Sequence, residues 1–235
     1  MDITNRKQIL ILIGGILIAL LFYPVVTHCL FYYSRSTLTT DELHYPIIIL
    51  EAIALYFYSL KVERQDFLTW PEKQGKALFY VLAVVILYIL DFAGGFISNI
   101  PQKLGWQEWW LKPLSKHYIH LEIAWYNLNP AILIICYVSW SICIELIFRG
   151  YLLPRLAIVF KNNVAAVVLS SLLFALFPFF YFTYHWMICD FISGIVFSIF
   201  YLKYRNIKIV IVARVLVDLT TLYFFWMVFS RMAVK

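Results

Sequence analysis

Long apolar runs constrain the fold of this chain more than any other feature of its sequence. Seven of them are interpreted as spans: residues 8–33, 44–60, 76–98, 130–149, 163–183, 186–203 and 208–230. About 18 apolar residues suffice for a helix to cross a bilayer. Only 14% of the 235 residues are charged, whereas soluble domains carry about 25%. The sequence therefore predicts an all-α, polytopic transmembrane helical bundle of about seven spans.

Basic residues between the predicted spans favour a cytoplasmic amino end. The first seven residues and the loops 61–76, 149–162 and 203–208 together carry twelve Lys and Arg residues, against six on the other side. Cytoplasmic loops are enriched in such residues. The first apolar run is long and has no small-residue cleavage site after it, so we interpret it as a retained span. Short loops without sorting tails favour a bacterial plasma membrane.

The net charge of +6 is spread through short loops and is not gathered into a patch. We therefore expect the lipid bilayer, and no nucleic acid, as a partner. The four cysteines form no CxxC pair and no zinc-type spacing, so neither a metal nor another cofactor is expected.

The predicted outer loop 99–129 is rich in tryptophan. It contains Trp106, Trp109, Trp110 and Trp125, which are half of the tryptophans in the chain. Indole rings prefer the headgroup layer, so the loop is expected to lie along the membrane surface. An anchoring belt is the favoured interpretation, and a lid over an entrance from the bilayer is the alternative.

Charged residues inside predicted spans mark a candidate site. Glu145 and Arg149 are four residues apart, as are Arg214 and Asp218, so each pair lies on one helix face and can form an ion pair. Intramembrane charges are costly and usually face the protein interior. If all four groups are ionised their charges sum to zero, and a crude depth estimate allows Glu145 to meet Arg214.

Three further acidic residues, Glu51, Asp91 and Asp190, fall within predicted spans. Glu51 and Asp91 have no evident partner on their own helices, so they either line a polar cavity or sit nearer a membrane interface. Asp91 precedes Gly94-Gly95, where the helix is expected to loosen and admit water.

The segment Glu145-Leu146-Ile147-Phe148-Arg149-Gly150 resembles the first motif, Glu-Glu-x-x-x-Arg, of the CAAX-protease and bacteriocin-processing family (CPBP, also called Abi). Residues 170–176 resemble the approach to its second motif, Phe-x-x-x-His, and residues 191–196 resemble its glycine-bearing span. The third motif, His-x-x-x-Asn/Asp, falls on Arg214 and Asp218. These proteins are intramembrane endopeptidases.

This resemblance begins at Ser139. It implies a CAAX-protease-like core in residues 130–235, preceded by residues 1–129 with further spans and the Trp-rich loop. It implies motif positions at Glu145, Arg149, Arg214 and Asp218. The expected binding positions are Phe174, Pro178, Glu51 and Asp91.

Three family residues that carry the chemistry are replaced: the first Glu by Ile144, and the two histidines by Pro178 and Arg214. As the resemblance implies, glutamate and histidine activate a water in active members. The third motif stabilises the oxyanion. Whether these enzymes require a metal is debated. Isoleucine and proline have no titratable side chain, and arginine stays protonated in proteins. A general base needs a proton-accepting side-chain atom that can reach the water.

The favoured hypothesis is a non-catalytic relative that binds a membrane protein or a hydrophobic or lipidated peptide. One alternative is an active endopeptidase that uses relocated groups at Glu145, His185 or Asp218. The other is a small transporter that uses Glu51, Asp91 and Asp190, although no internal repeat is visible.

Overall fold

The computed structural model describes residues 6–33, 38–70, 77–105, 129–177 and 184–232. Within these ranges the chain is helical and has no strand, which confirms the predicted all-α fold. Pro178 and most of the Trp-rich loop, residues 106–128, lie outside the described residues.

The helices of the described residues are numbered in chain order. They are α1 (Arg6–Tyr33), α2 (Leu38–Tyr58), α3 (Ala77–Ser98), the short α4 (Ile100–Lys103), α5 (Pro130–Glu145), α6 (Leu153–Phe160), α7 (Asn163–Leu176), α8 (Tyr184–Tyr204) and α9 (Ile207–Met232). Two π-helical segments extend this set, Ser59–Glu63 after α2 and Leu146–Leu152 between α5 and α6.

Each predicted span falls on one of these helices. By length and composition, five segments of the described chain can cross a membrane: Arg6–Thr27, Tyr45–Glu63, Ala77–Ser98, Pro130–Phe160 and His185–Tyr204. Helix α7 is a shorter apolar helix of 14 residues. The protein is therefore an integral membrane protein with several spans.

Asparagine side chains mark where three of the helices begin. Asn129 Oδ1 accepts a hydrogen bond from the Ala131 amide at 2.9 Å. Asn162 Oδ1 accepts from the first-turn amides of α7, and the buried Asn206 accepts from Ile209 N at 3.1 Å. Free amides at a helix start need such acceptors, so these asparagines fix the starts of α5, α7 and α9.

The predicted end of the fourth span, at residue 149, is wrong. The helix continues through the π-helical segment and α6 to Phe160, and residues 150–156 are buried. Arg149 and Arg155 suggested a loop, but both side chains are at most 1% exposed and lie against internal partners. The crude depth estimate for Glu145 rested on that boundary and is also wrong, because Glu145 is in the middle of the continuous helix 130–160.

Glycine allows the closest helix packing around the site. A Cβ at Gly194 of α8 would lie 2.9 Å from Ser171 Cβ and 3.0 Å from Ser171 Cα of α7. A Cβ at Gly94 would lie 3.1 Å from Ile192 Cγ2. Small residues let membrane helices approach in this way. Helix α3 continues unbroken through Gly94 and Gly95, so the expected loosening is absent and Gly94 instead brings α3 close to α8.

Candidate functional site

Arg214 of α9 forms the centre of a buried ionic cluster. Its Nε donates to Asp218 Oδ2 at 3.1 Å, one helical turn further along α9. Its two terminal nitrogens lie 3.6 Å from Asp190 Oδ1 of α8 and 3.9 Å from Asp91 Oδ1 of α3. Residues from three helices therefore surround a single guanidinium group.

Two serines complete the hydrogen bonds of this cluster. Ser141 Oγ of α5 donates to Asp218 Oδ2 at 2.7 Å. Ser193 Oγ of α8 donates to Asp91 Oδ1 and accepts from Arg214 Nη1 at 3.4 Å. Both serines are at most 1% exposed. Hydrogen bonds of this kind offset part of the cost of removing a carboxylate from water.

Glu145 and Arg149 form a second buried pair on the central helix. Arg149 Nε lies 3.2 Å from Glu145 Oε2, and the two side chains are 1% and 0% exposed. The pair is close, but its geometry is not that of a hydrogen bond: no aligned partner exists among the described residues for either Glu145 oxygen or any Arg149 nitrogen. Arg149 thus keeps a buried fork of N–H donors that a carbonyl or carboxylate oxygen would satisfy.

Phe174 connects the two sets of charges. The Cζ atoms of Arg149 and Arg214 lie 4.2 Å and 5.3 Å from the centroid of its ring, distances at which a guanidinium is attracted by an aromatic ring. Arg149 precedes the end of α6 at Phe160 by 11 residues, and Phe174 follows the start of α7 at Asn163 by 11 residues. The helical hairpin therefore places both at one depth, roughly 16 Å from the turn.

The structure brings most of the predicted site residues together. Both i, i+4 pairs form, and Phe174 lies between their guanidinium groups. Asp91 and Asp190, whose partners come from other helices, join the same cluster. With them the cluster holds four carboxylates and two guanidinium groups. The four groups of the two predicted pairs still sum to zero, and Asp91 and Asp190 add an excess of two negative charges if every group is ionised.

One predicted site residue stands apart from the cluster, and one predicted contact within it is absent. Glu51 is fully buried in α2, and neither carboxylate oxygen has a hydrogen-bond partner among the described residues. Its side chain therefore faces the interior of the bundle and not lipid or water. The predicted meeting of Glu145 with Arg214 is not an ion pair either: in the described part of the chain, the carboxylates within 4.0 Å of Arg214 belong to Asp91, Asp190 and Asp218.

The structure places two positions that bear on proton abstraction. Ile144, at the position of the first family Glu, is 2% exposed and apolar. His185, the relocated base considered above, has its Nδ1 3.1 Å from the Ser98 carbonyl oxygen. The space between the three aspartates holds the Arg214 guanidinium, and no group of three metal-type ligands is found in the ranges that the structure describes. The described residues of the cluster therefore do not fit a metal ion.

A second buried network is centred on Arg155, nearly two helical turns beyond Arg149, and sequence analysis missed it. Arg155 of α6 donates from Nη2 to Glu63 Oε2 at 2.6 Å and from Nε to both Glu63 oxygens. The Tyr151 hydroxyl donates to Glu63 Oε1 at 2.6 Å. A Cβ at Gly15 would overlap the Tyr151 hydroxyl, so this glycine gives α1 its close approach. Glu63 and Arg155 are 92 residues apart, and no local spacing reveals the pair.

Comparison with known proteins identifies the same part of the chain. Residues 125–220 match the sequence model of the family described as type II CAAX prenyl endopeptidase Rce1-like. This range contains Glu145, Arg149, Phe174, Asp190, Arg214 and Asp218 and confirms the resemblance drawn from the motifs. No curated protein and no solved structure matches the chain.

Proposed function

We propose that the protein is a non-catalytic relative of the Rce1-like type II CAAX prenyl endopeptidases, whose family model matches residues 125–220. It uses the protease scaffold to bind a hydrophobic or lipidated peptide segment of a membrane partner. The observation that carries this proposal is Arg214, which stands at the third-motif histidine and has its guanidinium among Asp91, Asp190 and Asp218.

Hydrolysis and peptide binding make different chemical demands on the site. Hydrolysis needs a group that takes a proton from water, and a guanidinium held by carboxylates cannot do so. Binding needs only donors and apolar surface. The Arg149 guanidinium, with no aligned acceptor among the described residues, and the ring of Phe174 supply both within one site.

The proposal places the protein in a bacterial plasma membrane with the amino end in the cytoplasm. The excess of basic residues that supports this orientation is smaller in the structure than in the sequence, but it keeps its sign. Of the twelve basic residues first assigned to that side, Arg149 and Arg155 are buried, which leaves ten against six.

A peptide-binding assay tests the proposal. Full-length protein in detergent is incubated with fluorescent peptides that end in a CAAX-type sequence, with and without a prenyl group, and anisotropy and peptide mass are followed together. We expect saturable binding with the peptide intact. Arg149→Met should weaken binding about tenfold, the loss of one charged hydrogen bond, and Arg64→Met, at an exposed arginine outside the cluster, should leave it unchanged.

Three results would overturn the proposal. Cleavage that disappears in Glu145→Ala would establish an active endopeptidase with relocated groups. If none of the peptides binds to the protein, it has no peptide-binding role. Proton- or ion-dependent flux in proteoliposomes that is lost in Asp91→Asn would favour the transporter instead.

A further inference from the structure

An open cleft of about 570 Å³ lies at the end of the bundle where α6 turns into α7 and α8 turns into α9. On each helix that contributes to the cleft, the cleft residues are separated along the sequence from the residues of the ionic cluster. Its lining includes Trp70, Val164, Ile199, Leu202, Lys203 and Arg205. The cleft therefore combines aliphatic walls, one indole ring and two cations.

Exposed apolar side chains stand beside the two cations of the cleft. Val164, at the start of α7, and Ile199, in the last turns of α8, are 71% and 53% exposed. Lys203 and Arg205 follow at the end of α8, where the chain leaves its span.

Trp70 fixes the cationic end of the cleft. The Arg205 Cζ atom lies 5.6 Å from the centroid of the Trp70 ring, and that ring packs against Tyr201 at 5.6 Å between centroids. Tryptophan belongs at the headgroup level of a bilayer. A guanidinium held beside such a ring suits contact with a lipid phosphate.

The backbone at Arg205 is unusual for a non-glycine residue. Arg205 has a φ of 52°, and the other positive-φ residues besides glycine in the described chain are Arg64 and Lys161, also basic. Glycine is the common residue at such helix ends, and a larger side chain there costs about 1 kcal/mol or more. The helix dipole favours a cation at these positions, and at Arg205 the cation also faces the cleft.

The start of α7 does not supply a further anion site. Asn162 Oδ1 already accepts from the amides of Val164 and Ala165, at 2.9 Å and 3.2 Å. Any negative ligand in the cleft is therefore recognised by side-chain cations and not by free helix amides.

We propose that this cleft binds an anionic phospholipid, with its phosphate at Lys203 and Arg205 and one acyl chain along Val164 and Ile199. The positive-inside assignment puts this end of the bundle at the cytoplasmic leaflet, where anionic lipids attract basic residues by about 1 kcal/mol each. The site is separate from the ionic cluster, so it stands or falls independently of the function proposed above.

Fluorescence quenching by brominated lipids tests the site in the full-length protein. The protein is reconstituted into phosphatidylcholine vesicles that contain a minor fraction of brominated phosphatidylglycerol or, in the comparison, of brominated phosphatidylcholine. We expect stronger quenching by the anionic lipid. This excess should vanish in Trp70→Phe, which removes the reporter ring from the cleft.

Charge removal distinguishes the cleft from a general surface effect. Lys203→Gln and Arg205→Gln should each lower the preference for phosphatidylglycerol about fivefold, the equivalent of one cation near the surface. The matched control Lys61→Gln with Lys103→Gln removes two exposed lysines outside the cleft and should preserve the preference. Circular dichroism of each variant checks that it folds.

Three outcomes would overturn the assignment. Equal quenching by both lipids would show that the cleft has no headgroup preference. Loss of preference in the lysine control would make it a property of the whole surface. Competition by added inorganic phosphate would show that the cleft binds a soluble phosphate and not a lipid.

Discussion

Arg214 is a permanently charged side chain inside the bundle, and its surroundings explain how it is tolerated there. Three carboxylates lie within 4.0 Å of it, but only Asp218 accepts one of its hydrogen bonds. Breaking a buried ion pair usually costs more than the pair contributes, because a buried charge is left without compensation. The three aspartates are therefore not equivalent, and their substitution should separate them.

The substitutions Asp218→Asn and Asp190→Asn should differ in their effect on stability. Asp218 loses charge-assisted hydrogen bonds from Ser141 and Arg214, so we expect the free energy of unfolding to fall by about 2 kcal/mol. Asp190 lies 3.6 Å from Arg214 in an ion pair. Its neutralisation leaves Arg214 with Asp91 and Asp218 as counter-ions and removes part of the excess negative charge, so the loss should be smaller than for Asp218. Unfolding of both variants in detergent micelles measures this, and equal losses would contradict it.

Arg155 is expected to contribute more to stability than any exposed arginine. It is fully buried and bonded through three nitrogens to Glu63, Ser59, Thr69 and backbone carbonyls. Arg155→Met leaves Glu63 without its cation and should cost about 3–5 kcal/mol in the same unfolding measurement.

Two controls make the Arg155 measurement specific. Arg64→Met, at an exposed neighbour of Glu63 in sequence, should change stability by less than about 0.5 kcal/mol. Adding Glu63→Gln to Arg155→Met should recover part of the loss, because it removes the uncompensated carboxylate. A double variant that is less stable by the sum of both single losses would show that the two side chains are not coupled.

At the scale of the helices, the close contact of α7 with α8 holds Phe174 against the ionic cluster. Gly194→Ala should lower stability by about 1–3 kcal/mol, because the new methyl group meets Ser171 backbone at 3.0 Å and overpacking forces the helices apart. Gly95→Ala on α3 is the matched control. Its Cβ would meet only Cys189 Sγ at 3.9 Å, and it should leave stability unchanged or raise it by up to about 1 kcal/mol. The prediction fails if both substitutions have the same effect.

The helices themselves could be predicted from the sequence because each is a long apolar run. Their ends were harder to predict where charges are buried. In the sequence, Arg149 and Arg155 indicated a loop. In the structure, Arg149 is buried within a π-helical segment and Arg155 is bound by Glu63. Local spacing predicted the i, i+4 pairs correctly. It gave no indication that Asp91 and Asp190 would meet Arg214, because those contacts depend on how α3, α8 and α9 pack.

At the scale of the whole molecule, the distribution of basic residues predicts how the chain lies in the membrane. The turn after α6, the turn after α8 and the end of α2 carry Lys161, Lys203, Arg205 and Lys61. A reporter that is active only in the cytoplasm should therefore be active when fused at the amino end and silent at the carboxyl end. Reversing the charge excess, with Gln at those four positions and Lys added to the opposite loops, should weaken this difference. Activity only at the carboxyl end would contradict the orientation.

In the proposed function, the scaffold of residues 125–220, which matches the Rce1-like family model, binds a peptide without activating water. Mass spectrometry of a CAAX-type prenylated peptide incubated with the protein in heavy-oxygen water tests it most directly, because hydrolysis places one heavy oxygen in the new carboxyl group. The account predicts intact peptide with no labelled product for the wild type and for Glu145→Ala alike. Labelled product from the wild type that is absent from Glu145→Ala would contradict it.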